Sequence, residues 1–408
     1  WSWAFYDWAN SSFATTVMAG FGPLFFKSFW ASDLSAASST WVWGTTNSLV
    51  GLLIGIVAPI LGAYSDVGRN RKKLLGFFAL LGILGTAYLF LIPQGKWFQA
   101  ALFYSIAVIG FSGGNIFYDS LIVFVSKRKE RNRVSSLGFS LGYLGGGLLF
   151  IVNVFMYLKP QWFGLSSSIQ GVLWSFLSVA LWWAFFSLPI FLNVREDPIK
   201  SRDNGFMYLS KKAFSNVSST LAEIKKYKRV VFFLVSYFLY IDGVDTIIRM
   251  ATSYGADIGL EMSSMITALI ITQFVGFPST IIFGVYADKI GFKKILSIGI
   301  CTYIIICFYS SYMSTATEFY FLAATVGLVQ GGVQAISRSF FSTLIPAGKA
   351  AEFFGFFNLI GKTSVIIGPF LVSTIALLLG NPRYGILSLL LLFIPGLIIL
   401  WMIPEEDN

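Results

Sequence analysis

Seven ionisable side chains, Asp7, Asp119, Asp242, Asp245, Arg249, Arg338 and Lys362, fall inside apolar stretches of about twenty residues, the length that crosses a bilayer as a helix. Placing such a group in hydrocarbon costs roughly 2.5 to 3.5 kcal/mol at mid-span, so each must face a partner, a ligand or a water-filled path. The chemistry open to this set is recognition of a charged or zwitterionic solute and carriage of a proton. Four acids against three bases leave one surplus acid, which fits a carboxylate that takes up and releases a proton. Catalysis is not expected: the chain has no His, no GxSxG, no P-loop and no metal-ligand cluster, so no enzyme, cofactor or metal centre is read from it.

Spacing sorts these residues onto helix faces. Asp242, Asp245 and Arg249 stand at i, i+3 and i+7, with Asp245 and Arg249 at ion-pair spacing, so they form either a self-neutralising pair or part of a binding site. Asp242 has no local counter-charge and lies near mid-span, which makes it the first candidate for proton coupling. A permanent pair with Lys362 or Arg338 is the alternative. Asp7 and Asn10 share a face, as do Gln330, Gln334 and Arg338 and, further on, Asn358 and Lys362. The Gln and Arg stripe suits a carboxylate or amide ligand, although glutamines also tie helices together, and Gln330 stays open between the two. Lys362 reads as an anion contact or as a counter-ion to Asp242 or Asp7.

The elements that position these groups are membrane spans. Of 408 residues 56% are hydrophobic and 12% charged, and the mean hydropathy is +0.74. Apolar runs predict helices over 3–29, 41–64, 74–93, 97–125, 132–158 and 169–192. After a polar stretch come 230–255, 263–286, 294–313, 319–345, 350–379 and 384–403. The fold class expected is therefore an all-α membrane protein of twelve helices in two pseudo-symmetric six-helix bundles, 1–192 and 230–408. The linker 193–229 carries Lys200, Lys211, Lys212, Lys225, Lys226 and Lys228 among Phe206, Leu209, Phe214, Val217 and Leu221. It reads as an amphipathic helix along the membrane surface or as a solvated connection.

Twenty-two of the 29 Lys and Arg residues lie in the loops after spans 2, 4, 6, 8 and 10, whereas the opposite loops hold only Lys96, Lys159 and Arg383. Basic loops stay in the cytoplasm, so both termini are expected there. The net charge of +10 is a topology signal rather than a nucleic-acid footprint. The chain opens at Trp1 inside an apolar stretch, so further residues upstream are expected and no cleavable signal peptide is read.

An internal repeat supports two related halves. GAYSDVGRNRKK from Gly62 matches GVYADKIGFKK from Gly284, with the first copy one residue short between Asp66 and Gly68. FSGGNIFYDS pairs with VQGGVQAISRS, and YDWAN pairs with YIDGVD, which sets Asp7 against Asp242 and Asn10 against Asp245. The twinned turn resembles the signature of the major facilitator superfamily. FYDWANSSF, YFLYIDGVDTI, AISRSFFSTLIP and EFFGFFNLIGK resemble its vacuole effluxer branch, the autophagy-related amino-acid exporters and their bacterial relatives. The resemblance covers essentially the whole chain.

That resemblance implies a major facilitator fold in a bacterial inner membrane, working as a monomer, with matched acids on helices 1 and 7 facing each other across a central cavity. It also implies a gate at the signature turns, built from Asp66, Arg69, Asp119 and Asp288, with Asp119, Arg69 and Asp66 as its latch. The function expected is secondary active transport of a small polar or zwitterionic metabolite, an amino acid first, by alternating access coupled to protons. Asp7, Asn10, Asp245, Arg249, Gln330, Gln334, Arg338, Asn358 and Lys362 are the candidate substrate contacts. Efflux of amphipathic or aromatic compounds is the alternative, and a membrane receptor without transport is the alternative of another class.

Overall fold

The computed structural model describes residues 1–68, 70–196, 212, 215–220, 224–346, 348–363 and 367–404, and every regular element among them is helical. Helix α1 occupies 4–30 and changes pitch along its length: α-helical turns over Ala4–Ser12 and Gly22–Phe25 alternate with wide π turns over Phe13–Phe21 and Phe26–Trp30. Then come α2 (Ala36–Gly68), α3 (Arg71–Leu89), α4 (Trp97–Ser120), α5 (Arg131–Leu158) and α6 (Ser168–Asn193). The second set is α7 (Lys228–Asp257), α8 (Met262–Ile290), α9 (Phe292–Ser310) and α10 (Ala316–Leu344), followed by α11 as Ala350–Thr363 and Ile367–Leu379 and α12 as Pro382–Leu387 and Leu390–Met402.

Ten of these, α2 to α10 and α12, contain stretches long and apolar enough to cross a membrane. The other two expected spans are composite: α1 because of its pitch changes, and α11 because it is described in two apolar pieces. Large apolar side chains such as Phe77, Leu181, Phe185, Ile305, Phe321 and Leu391 are exposed on the outside, the surface a bilayer would cover. The interior packs aromatic rings, with Trp30 stacked on Phe176 in the first six helices and Tyr303 on Phe393 in the last six.

Local chemistry sets several boundaries. Helix α3 starts at Arg71, three residues earlier than hydropathy predicts, because Glu196 beyond the end of α6 accepts the backbone N–H groups of Arg71 and Lys72 at 3.0 and 3.1 Å. Thr315 and Glu318 form a reciprocal capping box at the start of α10. Gly291 turns the chain from α8 into α9 at φ 85°, a conformation that favours glycine.

Both ends of the described chain lie on one face, with Asn193 bonded to Ser2 and Lys293 to the carbonyl of Ile403. The turns α2–α3, α4–α5 and α8–α9 are on the same face, which is therefore the basic one. Within the linker, residues 215–220 form a helical turn whose Val217 packs on Ala63, Tyr64 and Phe356, so this piece rests against α2 and α11. Lys200, Phe206, Leu209, Lys211, Phe214 and Leu221 lie outside the described residues, as does the side chain of Lys225.

The two helix sets meet closely on the basic face. A Cβ at Gly62 of α2 would stand 2.0 Å from the carbonyl oxygen of Ala351 in α11. Ser135 and Ser140 of α5 donate to the carbonyls of Ala335 in α10 and Phe277 in α8, both at 2.7 Å. Such hydroxyl-to-carbonyl bonds are exchanged for water at little cost, unlike the aromatic cores of each set.

Candidate functional site

At the centre of the basic face lies Arg338 of α10, only 2% exposed. Its guanidinium carries five N–H groups, and five contacts accept them. Nε donates to Ser135 Oγ at 2.9 Å and Nη2 to the Ser135 carbonyl at 2.9 Å. Nη1 and Nη2 both reach Asp7 Oδ2 at 3.4 Å, and Nη1 reaches Asp119 Oδ1 at 3.1 Å. Rings of Phe139, Trp3 and Tyr118 surround the cation, with centroids 4.2, 4.9 and 5.4 Å from Cζ.

The two acids are held in turn. Tyr118 Oη donates to Asp7 Oδ2 at 2.7 Å, and Asn358 Nδ2 of α11 approaches Asp119 Oδ2 at 3.4 Å. Trp3 stacks on Tyr118 and donates its indole N–H to the Tyr118 carbonyl. Helix α5 must come close for this to form, and at Gly138 it does: a Cβ there would stand 2.6 Å from Asp7 Oδ2. One cluster thus joins α1, α4, α5, α10 and α11, with the cation from the last six helices and both carboxylates from the first six.

These contacts bear on three expectations. Arg338, expected to form a substrate stripe with Gln334, is enclosed by protein, and its N–H groups go to Ser135, Asp7 and Asp119. Asp119 is bonded to Arg338, and Asp66 takes a guanidinium from Arg71; Arg69, the expected partner of both acids, lies outside the described residues. Asp7 is bonded to Arg338 and Tyr118, while Asp242, its counterpart in the repeat, is fully buried on α7 and accepts the backbone N–H of Gly368 at 3.0 and 2.9 Å and the hydroxyl of Thr246 at 3.3 Å. Among the described residues Asp242 therefore has partners, and these lie within the last six helices. Sequence spacing missed them because Gly368 offers a backbone group, which no residue type advertises.

The signature turns flank the cluster. Asp66 accepts the backbone N–H groups of Ala351 and Glu352 at 3.1 and 2.7 Å, capping the start of α11 from across the interface, and it is ion-paired with Arg71. Arg71 also reaches Glu196 at 3.3 Å. Asp288 accepts Asn132 Nδ2 and Arg133 Nε of α5, each at 2.9 Å.

The remaining candidates lie deeper, toward the opposite face. Asn10 donates to Asn115 at 2.8 Å, one turn from Asp7 and Asp119 respectively. Gln330, two turns from Arg338, has its side-chain oxygen buried without a hydrogen-bond partner among the described residues, while Gln334 is half-buried. Asp245 is half-buried and Arg249 exposed on the same helix; the side chain of Lys362 lies outside the described residues. Tyr104 donates to Asn47 at 2.8 Å and its ring sits 4.2 Å from that of Trp43. Asn115, Tyr118 and Ser135 went unnoticed in the sequence. The first two stand in the repeated FSGGNIFYDS motif, where the glycines drew attention first. No group of three or more His, Cys, Asp or Glu that could hold a metal occurs among the described residues.

Twelve helical segments, twinned turns and a polar seam between two helix sets define a multi-pass membrane transporter. Solved structures agree on the fold. The proton:xylose symporter XylE bound to 6-bromo-6-deoxy-D-glucose superposes with a TM-score of 0.73 at 14% identity, covering 99% of this chain and 94% of that one. The fucose transporter FucP in an outward conformation gives 0.66 at 11% identity over 99% and 98%. Both belong to the major facilitator superfamily, and its fold is the fold of this protein. The chain belongs to the family described as vacuole effluxer Atg22 like, which it matches over residues 36–408. It is 40% identical to the uncharacterized MFS-type transporter YxiO of Bacillus subtilis (strain 168), over 100% of this chain and 95% of that protein. It is 26% identical to autophagy-related protein 22 of Saccharomyces cerevisiae (strain ATCC 204508 / S288c), over 86% and 74%. YxiO is described as an MFS-type transporter and the family as effluxers, which makes the chain a transporter rather than an enzyme.

Proposed function

We propose that this protein is a secondary active transporter that moves a small zwitterionic or amide-bearing metabolite, an amino acid first, by alternating access and in exchange for protons. The observation that carries the reading is the closure of one face by bonds between the two helix sets: Arg338 to Asp7 and Asp119, Asp66 to the start of α11, and Asp288 to α5. Bonds of this kind break when two bodies rock apart, and hydration replaces them. The moving bodies in this reading are 1–192 and 230–408, joined by the linker 193–229.

A solute would be held deeper than the closed layer, among Asn10, Asn115, Gln330, Gln334, Asp245 and Arg249, where amides and opposite charges can grip an ammonium and a carboxylate together. Lys362, one turn beyond Asn358 on α11, completes this set. Arg338, Asp7, Asp119 and the Asn358 bonded to Asp119 belong instead to the gate. The description of the family as effluxers favours export, and the basic-loop distribution favours a cytoplasmic position for both termini. A bacterial inner membrane and a monomeric state complete the reading.

The test is uptake and counterflow in proteoliposomes, with radiolabelled amino acids competed by unlabelled amino acids or by lipophilic cations. Amino acids are expected to compete at millimolar concentration or below. Competition by the lipophilic cations alone would replace the substrate class with amphipathic compounds.

A further inference from the structure

A short piece of the linker lies across the seam where Asp66 caps the start of α11. Residues 215–220 form one helical turn, with Val217 and Thr220 buried and Ser218 and Ser219 exposed. Polar groups fix the turn to α11. Lys349 Nζ donates to the Thr220 hydroxyl at 2.8 Å, and the Glu352 carboxylate, in a residue only 1% exposed, lies beside both. A second hold follows a few residues on, where the Tyr227 ring meets Phe353 of α11 edge-on with centroids 5.3 Å apart. Toward α2 the turn presents an apolar side chain instead: Val217 packs with Ala63 and Tyr64 there, and with Phe356 of α11.

Glu352 joins this turn to the lock. Its backbone N–H goes to Asp66 Oδ2 at 2.7 Å, while its side chain meets Thr220. Ala63, which Val217 covers, follows Gly62, the point where α2 touches the backbone of Ala351. A hydrogen bond kept from water is electrostatically stronger than one that water can reach and compete for. The linker leads into α7, so the turn belongs to the last six helices and its apolar end reaches across to the first six. When α2 parts from α11, Val217 cannot keep both Ala63 and Phe356. The hydrogen bond and the ring contact hold the turn on α11, so its contact with α2 is the one given up.

We infer that residues 215–220 are a strap. Seated on Ala63 and Tyr64, it shields the Asp66 caps and keeps the basic face closed, and it lifts off α2 before that face opens. The linker is then a control element of the cycle rather than a passive connection. Its effect on transport rests on the reading above, whereas its seat across the α2–α11 seam does not.

The test uses the full chain with Cys301 replaced by Ser, since Cys301 is exposed and Cys307 buried. Spin labels at the exposed Lys73 and Lys289 report the distance across the basic face in lipid nanodiscs. Val217→Asp sets a carboxylate against an apolar seat, and the population with a long distance should rise roughly tenfold. Thr220→Val keeps the volume and removes the hydroxyl, so a rise of roughly threefold is expected; this milder change keeps the test informative if Val217→Asp fails to fold. Ser218→Ala, on the exposed side of the turn, should change nothing. In a separate unlabelled protein, Val217→Cys is paired with Ala63→Cys. Oxidation should join the two and stop solute exchange in proteoliposomes, and reduction should restore it. An unchanged distance in Val217→Asp, a cysteine pair that does not oxidise, or an oxidised pair that still transports overturns the strap. If the distances shift as expected while the reduced protein moves none of the amino acids offered, the substrate reading fails and the strap stands.

Discussion

The two signature turns are copies in sequence and unequal in structure. In the first, Asp66 is 5% exposed on its side chain, caps the start of α11 with both oxygens and binds Arg71, which reaches on to Glu196. In the second, Asp288 accepts two side chains of α5, one of them Arg133, which is 67% exposed. The basic residue five places after the acid explains much of this. At that position the first copy has Arg71, whose planar fork bridges Asp66 and Glu196, and the second has Lys293, whose single nitrogen goes to the Ile403 carbonyl at 2.6 Å. One turn therefore ties the two helix sets through buried, directional bonds, and the other through a pair that water can replace. The difference teaches that the two seams are unequal, and in the proposed transport cycle it makes α2–α11 the lock and α5–α8 the seam beside it.

Substitutions can break or sharpen that contrast. The largest effect is expected from Asp66→Ala, which leaves two helix-start N–H groups uncapped and removes the carboxylate from Arg71. About 3 kcal/mol of the closed state should be lost, roughly a hundredfold shift toward opening. Spin labels at the exposed Lys73 and Lys289 should then report a longer distance across the basic face; an unchanged distance would show that Asp66 is not the lock.

Next comes a matched pair of glycines. Gly62→Ala forces a Cβ to 2.0 Å from the carbonyl oxygen of Ala351 and 2.9 Å from the nitrogen of Glu352, whereas Gly284→Ala meets Oγ and Cβ of Ser136 at 2.4 and 2.6 Å and the nearest backbone atom at 3.2 Å. Transport in proteoliposomes should fall in both and fall further in the first. Equal losses would mean the two seams are equivalent.

Arg71→Lys converts the first turn into the chemistry of the second. A point charge holds one of Asp66 and Glu196 at a time, so the cost is about 1 to 2 kcal/mol and the same label pair should show a partial shift. The smallest effect belongs to Arg133→Ala. An exposed ion pair contributes about 0 to 1 kcal/mol, so transport and thermal stability should stay near wild type. A loss as large as that of Asp66→Ala would erase the asymmetry.

Much of the molecule was legible beforehand. Apolar runs located the spans to within a few residues, except where a cap lies outside hydropathy, as Glu196 does for α3. The repeats matched Asp7 with Asp242 and Asp66 with Asp288, and the structure leaves each pair in equivalent helices. Which atoms they touch was not legible. Spacing along one helix says which residues share a face but not which other helix that face meets. Arg338 was therefore grouped with Gln334 on its own helix, when its five N–H groups are spent on Ser135, Asp7 and Asp119.

The sequence by itself determined that this chain lives in a bilayer, that it is built twice, and which charged residues fall within its spans. These follow from composition, periodicity and charge count, which are local and additive. Only the tertiary structure decided which partners the acids take. Asp7 and Asp119 share one guanidinium across the interface, while Asp242 is satisfied by a backbone amide of its own half. Which charges compensate one another depends on distances of a few ångströms between helices far apart in the chain, and those distances are set by packing.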